Sequence, residues 1–357
     1  MKSIIQCLLA SLLLGGMMLL TSCVDTRIIE PETPLIDNSS KIVLNLSAPE
    51  DAATRATDGF KLRFVAKIFN GSESNLNDTY YKARQELVQG EAGPAGKIDQ
   101  MVFDVEANQN YIIYVFADYI PVDSKPSEEG YYDDYYYDTR NSGNTGVTLM
   151  STPKQLSNQA VPASFFNNDN YDCFAGTENI GKKGEDAIYR TITLERIVSK
   201  VRFVDSTKIK GDISTNVSKI TYLNNYDLRN QGGGNKASNS ESINLGSVNF
   251  KEGEENEILY FYTFSSKITD GSQSPGLTLT LTDPSKDISD GSPNTTTITV
   301  DKISVQKNFI TTVKGNFLHE IYPPVVPEED PHKGAIFLDV LVSEKPWENL
   351  SSEWTSK

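Results

Sequence analysis

The stretch YIIYVFADY, residues 111–119, is the part of the sequence that decides the fold. It is rich in aromatic and β-branched residues, which favour strands, and it is apolar on both faces, as is typical of a strand deep in a sandwich. Upstream, GFKLRFVAKIFN at 59–70 begins with apolar and basic residues in alternation, which is the period of a half-buried strand. Both stretches therefore predict β-strands.

Short strand patterns separated by polar turns recur along the rest of the chain, and long amphipathic helical patterns are almost absent. Further strands are predicted at 41–47, 101–105, 191–205, 217–223, 242–250, 257–264, 277–281, 295–305, 308–318 and 335–342. Many short strands of this kind predict an all-β fold built from β-sandwiches. Because 357 residues exceed what one core usually supports, we expect two domains, at 41–190 and 191–357.

The N-terminus has the pattern of an exported lipoprotein. Lys2 precedes an almost wholly apolar run at 4–20, and LTSC at 20–23 resembles the bacterial lipobox. We therefore expect 1–22 to be a signal peptide and Cys23 to carry acyl chains (palmitate) that anchor the protein to a membrane. Residues 23–40 contain prolines and no apolar periodicity, so they are expected to form a tether. An ordinary cleaved signal with a chance cysteine is the alternative.

The sequence offers few groups for catalysis. Its two histidines, His319 and His332, lie in no recognisable nucleophile pattern with Cys173, and no serine stands in an elbow between glycines. Since Cys7 would leave with the signal and Cys23 would be acylated, Cys173 is expected to be a buried, inert thiol without a disulfide partner. We expect no enzymatic activity, no cofactor and no metal. The formal net charge of −15 also disfavours nucleic acid as a partner.

A long polar stretch at 121–165 is predicted to be a surface loop, and 128–138 (EEGYYDDYYYD) is its most unusual part. Tyrosine rings stack on sugars and carboxylates accept hydroxyl hydrogen bonds, so contact with a host glycan or protein is one interpretation. Weak calcium binding is a second and a solvated insertion is a third, although the regular spacing of a calcium loop is missing. The candidate ligand residues are Tyr131, Tyr132, Asp133, Asp134 and Tyr135.

Several segments occur in an order that is similar to a known family. They are the lipobox, ATRA at 53–56, the aromatic strand at 111–119, DCFAG at 172–176, LERIVSKV at 194–201 and KNFITTVKGN at 307–316. In this order they resemble the fimbrillin-like lipoproteins of Bacteroides-type bacteria, the group of major and minor fimbrial subunits. The resemblance implies two tandem transthyretin-like Greek-key β-sandwich domains after the lipoprotein signal peptide.

The resemblance also implies assembly by strand exchange. An arginine-specific protease would cut after Arg55, in the loop that follows the first strand, and that strand, Lys41–Ser47, would leave. Its groove-filling side chains would be Ile42, Leu44 and Leu46. A plain surface arginine is the alternative interpretation of Arg55.

The strand predicted at 335–342 (AIFLDVLV) is the candidate donor to a neighbouring subunit, and it follows a stiff, acidic, proline-rich linker. Its inserting side chains would be Ile336, Leu338, Val340 and Val342. Such a strand would satisfy the backbone groups of a vacated groove, and the head-to-tail contact would propagate into a fibre. The alternative is that this strand completes its own C-terminal sandwich.

Together these features favour a structural subunit of a fimbrium, or pilus, exposed at the cell outer membrane and used in adhesion. Its expected partners are other fimbrial subunits, an arginine-specific protease, and the membrane through the lipid on Cys23. One alternative is a surface lipoprotein that never polymerises and binds a glycan or host protein. Another is an anchor or tip subunit of the fimbrium.

Overall fold

The structure is a computed structural model of the chain. It describes residues 40–49, 52, 59–71, 81–93, 96–139, 148–151, 161–229, 232–234, 236–265, 274–286, 288–289, 291, 294–322 and 338–343. In these residues we find no helix with the length and apolar character needed to cross a membrane.

The described residues are mainly β-strand, with short 3-10 helices at Ala163–Phe165 and Asp169–Tyr171. The strands are β1 (Lys41–Ser47), β2 (Phe60–Asn70), β3 (Tyr81–Val88), β4 (Gln100–Asp104), β5 (Asn110–Pro121), β6 (Thr148–Ser151), β7 (Phe174–Lys182), β8 (Ile188–Thr193), β9 (Glu195–Arg196), β10 (Val198–Asp205), β11 (Gly211–Leu223), β12 (Asn225–Asp227), β13 (Gly232–Gly233), β14 (Lys236–Asn239), β15 (Ile243–Phe250), β16 (Asn256–Phe264), β17 (Gly276–Thr282), β18 (Thr295–Val300), β19 (Ile310–Gly315) and β20 (Leu338–Val342). The all-β prediction is confirmed.

Most strands before residue 197 belong to two sheets that enclose one core, here called the first sheet pair. One sheet has the order β4-β1-β8, and the other has the order β3-β2-β5-β7-β9. Inward side chains alternate along the strands, as the pleat requires, and include Leu44, Phe64, Phe103 and Ile113. β5 is buried along nearly its whole length because its other face packs against a second core. This explains why its sequence is apolar on both faces.

The strands from β10 onward form the second sheet pair. Its sheets have the orders β16-β10-β19-β20 and β14-β11-β17-β18, and β15 also pairs with β11. Phe203, Val217 and Leu279 lie in the core between them, which continues into the first half through Tyr114 and Phe116 of β5. The two halves therefore share buried apolar surface. The domain boundary at 190 stays a prediction; β9 is the last strand to join the first sheet pair.

A small third sheet has the order β13-β12-β6, so it joins a strand of the first half to the second half. In this sheet Gly232 and Gly233 form the two-residue strand β13. A side chain on Gly233 would come within 3 Å of Leu223 and Phe264. The glycine therefore allows this strand to lie directly against its neighbours.

Three segments that carry the family resemblance meet where the halves join. The Arg196 Nε lies 2.9 and 2.8 Å from the two carboxylate oxygens of Asp172, and Nη1 donates to the Asn308 side-chain oxygen over 3.1 Å. These residues come from the LERIVSKV, DCFAG and KNFITTVKGN segments, respectively. Arg196 and Asp172 are fully buried, and removing one partner of such a pair is strongly destabilising. The cluster therefore fixes the connection between the halves.

Candidate functional site: the slot of the first strand and the C-terminal edge strand

β1 is the central strand of the β4-β1-β8 sheet. It pairs antiparallel with β4, where Ile42 is opposite Phe103, and parallel with β8, where Ile42 is beside Ile188 and Leu46 is beside Ile192. Backbone groups on both of its edges are therefore paired. Since neighbouring strands lie about 4.8 Å apart, removing β1 would leave β4 and β8 about 10 Å apart with their facing edges unpaired. We call this space the β1 slot.

Side chains of β1 fill the apolar floor of the slot. Ile42 and Leu44 are fully buried, Leu46 is 7% exposed, and all three pack in one cluster with Phe64 and Phe103. Burying one such side chain contributes about 1.5–3 kcal/mol, so the three together contribute roughly 5–9 kcal/mol. A strand that replaced β1 would have to supply similar side chains at the same spacing.

The ends of β1 are fixed to the surrounding sheets. The Ser40 N–H donates to the Glu185 carbonyl over 2.9 Å, and the Leu194 N–H donates to the Ser47 carbonyl over 2.8 Å. The alignment with β4 and β8 is therefore maintained along the whole strand.

Arg55, the predicted cleavage position, lies outside the described residues, and so does Cys23, the predicted lipidation site. The chain is held on both sides of Arg55. Ala52 is fully buried, and its carbonyl accepts a hydrogen bond from the Tyr119 hydroxyl over 2.5 Å. Gly59 has a φ of 100°, a conformation that favours glycine, and its carbonyl accepts a hydrogen bond over 2.9 Å from the N–H of Val122, the residue that follows β5. Arg55 therefore falls in a short segment between two fixed points.

β20, the candidate donor, is an exposed edge strand. Within the described residues it pairs only with β19, antiparallel, with Val340 opposite Val313. Leu338, Val340 and Leu341 are 38%, 36% and 54% exposed. Ile336, the first of the predicted inserting side chains, lies outside the described residues. Apolar side chains of β20 are thus at the surface, whereas those of β1 are in the core.

The segment 128–138 folds onto the first sheet pair. Tyr132 is 6% exposed and packs against Val88 and Ile120. Asp134 is 7% exposed, and its carboxylate accepts hydrogen bonds from the N–H and the hydroxyl of Thr139 over 2.8 and 2.6 Å. Two of the five candidate ligand residues are thus engaged in contacts within the protein.

The other three candidate ligand residues reach the surface. The Tyr131 ring centroid lies 5.5 Å from the Arg84 guanidinium, and the half-exposed Tyr135 ring lies 5.6 Å from the ring of Phe60. Asp133 is exposed. A ligand at this segment would contact these three side chains, and that role stays a prediction.

A buried guanidinium explains why the segment folds inward. Arg63 of β2 donates to the two carboxylate oxygens of Asp118 over 2.9 and 2.8 Å, and its Nη1 lies 3.0 Å from Asp134 and 3.4 Å from Glu86. Burial alone would lower the pKa of Arg63, but the carboxylates raise it. Burial raises the pKa of Asp118 to about 6 against the effect of Arg63, so this carboxylate is ionised at neutral pH. Asp134 is the charge that the segment adds to this cluster.

Cys173 is fully buried, as the sequence predicts, and burial raises the pKa of its thiol well above the usual range. A thiol that stays protonated is a poor nucleophile. His319 is 7% exposed, and His332 lies outside the described residues. Across the described part of the chain, no three His, Cys, Asp or Glu side chains converge as metal ligands.

One wall of the slot is not predictable from the sequence. β8 is parallel to β1 and far from it along the chain, and its sequence IYRTIT favours a strand without indicating its partner. Nor does the sequence indicate that Tyr119 of β5 reaches the segment that follows β1. Only the folded arrangement brings these residues to the site.

The fold and the site define an all-β sandwich protein whose first described strand is buried in a slot and whose last described strand is exposed at an edge. Residues 34–332 match the model of a family described as a family of unknown function, DUF6562. The chain belongs to this family. No curated protein matches it significantly.

Solved structures that are similar to the chain include cell adhesion and fimbrial proteins. A candidate cell adhesion protein from Bacteroides eggerthii is 11% identical, with a TM-score of 0.45 over 87% of this chain and 96% of that one. The fimbrial anchor protein Mfa2 from Porphyromonas gingivalis is 12% identical, with a TM-score of 0.41 over 86% and 98%. The tip fimbrial protein Mfa3 from the same organism, with a C-terminal truncation, is 9% identical, with a TM-score of 0.41 over 85% and 99%.

Proposed function

We propose that this protein is a structural subunit of a cell-surface fimbrium, joined to its neighbours by strand exchange and used in adhesion. The observation that carries the proposal is the contrast between β1 and β20. β1 is central in its sheet and buries its apolar side chains, whereas β20 lies at an edge and exposes its own. One strand can vacate a slot, and the other can fill one.

Cleavage after Arg55 is the proposed trigger. It would cut the covalent link between β1 and the rest of the fold, so β1 would be held only by non-covalent contacts, chiefly its backbone hydrogen bonds and the roughly 5–9 kcal/mol of apolar burial. A strand held in this way can be displaced by another strand with comparable contacts. The intact link makes the uncut chain a stable precursor.

The candidate donor has the spacing that the slot needs. Side chains on one face of a strand recur at every second residue, and β1 uses this spacing for its three core side chains. The donor repeats it with Ile336, Leu338, Val340 and Val342. A donor strand could therefore place three of these four side chains where those of β1 lie now.

The exchange also improves the pairing of the donor. β20 is now paired along one edge, to β19, and three of its apolar side chains are more than one third exposed. In the slot it would pair along both edges, with β4 and β8, and its apolar face would be buried. Both changes favour the exchanged state.

The proposed partners follow from this scheme. The donor comes from a second copy of this chain or from a related subunit, and the trigger is an arginine-specific protease. Lipid on Cys23 would hold the uncut precursor at the outer membrane. It would leave with residues 23–55 after cleavage, so the mature subunit would be held by its neighbours' strands.

The test is digestion of the soluble chain, starting at residue 23 and carrying Cys23→Ser, with an arginine-specific protease. We expect cleavage after Arg55, followed by a ladder of oligomers that resists SDS. Arg55→Ala should block both. Arg229→Ala is the matched control, since this partly exposed arginine pairs with Asp227 of β12, which is not part of the β4-β1-β8 sheet, and it should change neither. A chain that is cut after Arg55 and stays monomeric contradicts the proposal.

A second candidate function is a surface lipoprotein that does not polymerise, or an anchor or tip subunit, with binding of a glycan or host protein. It is favoured by one observation: β20 already has a partner in β19, with the strands in register from Thr311 opposite Val342 to Gly315 opposite Leu338. In a solitary binder or an anchor, Arg55 is not cut and the lipid is permanent, whereas a tip subunit would lack a donor strand. The same digestion separates the two functions.

A further inference from the structure

A cleft on the second sheet pair gathers three lysines at one end of a sheet. It has a volume of about 210 Å³ and lies at one end of β17, beside β11, β14 and the segment after β18. Its lysines are Lys219 of β11, Lys236 of β14 and Lys302, which follows β18. Asp301 is the carboxylate among its lining residues. The cleft lies on a different sheet pair from the β1 slot and shares no residue with β20.

The positive charge of the cleft is unusual for this chain. The formal net charge is −15, yet the cleft carries three ammonium groups against one carboxylate. All three lysines are exposed, and none forms an ion pair with another described residue. By contrast, Lys307 and Lys314 in the same half pair with carboxylates at 3.1 and 2.6 Å. An uncompensated positive cleft on an acidic protein concentrates small anions locally.

The floor of the cleft requires a glycine. A side chain on Gly276 would come within 2.7 and 2.8 Å of the carbonyl oxygens of Val300 and Asp301. These are backbone atoms, so they cannot move aside as a flexible side chain would. Glycine therefore allows the ends of β17 and β18 to approach closely beneath the lysines.

Rows of threonine hydroxyls extend from the cleft along the outer face of β17 and β18. Hydroxyl oxygens of paired threonines lie 3.2, 3.3 and 3.1 Å apart across the two strands. The pairs are Thr278 with Thr299, Thr280 with Thr297, and Thr282 with Thr295. Each hydroxyl can donate and accept a hydrogen bond, as sugar hydroxyls do. The opposite face of these strands carries the core side chains, including Leu279 and Ile298.

We propose that this cleft binds a saccharide that carries one anionic group, a sulfate ester or a carboxylate. The anionic group would lie among Lys219, Lys236 and Lys302, and the attached sugar would lie over the threonine rows. The volume is smaller than that of sites for drug-sized ligands, which take about 300–1,000 Å³, so it suits the end of a glycan chain. A polyanion is disfavoured, because the chain as a whole is strongly acidic.

The test uses the full mature chain with Cys23→Ser and Arg55→Ala, which cannot enter strand exchange, so its result does not depend on the proposed function. The probes are N-acetylglucosamine 6-sulfate, N-acetylneuraminic acid and neutral N-acetylglucosamine, measured by isothermal titration calorimetry at two salt concentrations. We expect at least one anionic sugar to bind, more weakly at high salt, and the neutral sugar to bind at least about tenfold more weakly. Comparison of the sulfate and the carboxylate identifies the anionic group.

Two triple variants with the same change of net charge make the test specific. Replacing the three cleft lysines by glutamine removes their charge-assisted hydrogen bonds to the anionic group, so affinity should fall more than about tenfold. The control replaces three exposed lysines outside the cleft by glutamine, namely Lys82, Lys125 and Lys210. It should bind the anionic sugar as tightly as the parent does. The proposal is overturned if neither anionic sugar binds, or if the control loses as much affinity as the cleft variant.

Discussion

Replacing Leu44 by alanine should destabilise the uncut protein by about 2–5 kcal/mol. Leu44 is fully buried in the middle of β1, opposite Met101 of β4, and packs in the same core as Phe64. Truncation removes the free energy of burying the lost methine and two methyl groups. It also leaves a cavity, because β4 and β8 hold the backbone of β1 in place on both sides.

The measurement is equilibrium unfolding of the uncut chain in guanidinium chloride, followed by circular dichroism. Ser47→Ala is the matched control, since Ser47 is an exposed residue of the same strand, and its effect should stay within about 0.5 kcal/mol. If Leu44→Ala and Ser47→Ala unfold at the same denaturant concentration, Leu44 does not fill a core, and the β1 slot as described is wrong.

The same substitution should speed assembly after cleavage. β1 leaves during exchange, so the lost contacts weaken the precursor and not the product. Since 1.4 kcal/mol corresponds to a factor of ten, a loss of about 2–5 kcal/mol should favour release of β1 by more than about tenfold. The resistance of the product ladder to SDS should not change. A Leu44→Ala ladder that forms more slowly than the parent, or that dissociates more readily, would refute the reasoning.

Further predictions concern buried groups of the two halves. Asp118→Ala should cost about 3–5 kcal/mol in denaturant unfolding, because it removes the bidentate partner of the buried Arg63. Burial alone would raise the pKa of Asp169, but Lys200, 2.9 Å away, lowers it, so the folded state binds this proton more weakly than the unfolded chain does. The contribution of the Asp169–Lys200 ion pair to folding stability is present above about pH 4 and is lost as the pH falls below it. Asp169→Asn should therefore flatten the acid part of the profile of unfolding free energy against pH, relative to the parent. Cys173 in the Cys23→Ser chain should not react with a thiol reagent at neutral pH until denaturant unfolds the protein.

Matched variants separate these effects from general ones. Asp123→Ala, at an exposed carboxylate, should cost less than about 0.5 kcal/mol. Ser127→Cys should add a second thiol that reacts in the folded state, because Ser127 is exposed. A Cys173 thiol that reacts as fast as the one at 127 would contradict its burial.

Strands with a clear local pattern were predictable from the sequence. The stretch at 59–70 alternates at its start, and 111–119 is apolar on both faces, and these became β2 and β5. β3 and β7 were not predicted, because YKARQELV and FAGTENIGK carry many polar side chains. Their strand structure depends on pairing with β2 and β5, which no local pattern reveals.

The candidate site was predictable only in part for the same reason. The apolar alternation in β1 indicates a buried strand, but not that it lies between β4 and β8. The composition of segment 128–138 predicts a polar surface loop, yet Asp134 is buried and forms an ion pair with Arg63, which lies far away in the sequence. Burial of a polar residue by a distant opposite charge depends on tertiary structure.

The most direct measurement of strand exchange is a disulfide between two chains. Val102 of β4 is opposite Val43 of β1, with its side chain away from the core, so a cysteine there would face an outward residue of any strand in the slot. One chain carries Val102→Cys and the other carries Asp339→Cys or Leu341→Cys, all with Cys23→Ser. The account predicts a disulfide-linked heterodimer only after cleavage at Arg55, with the fragment that ends at Arg55 released. Crosslinking of uncut chains to the same extent, or none after complete cleavage, would contradict it.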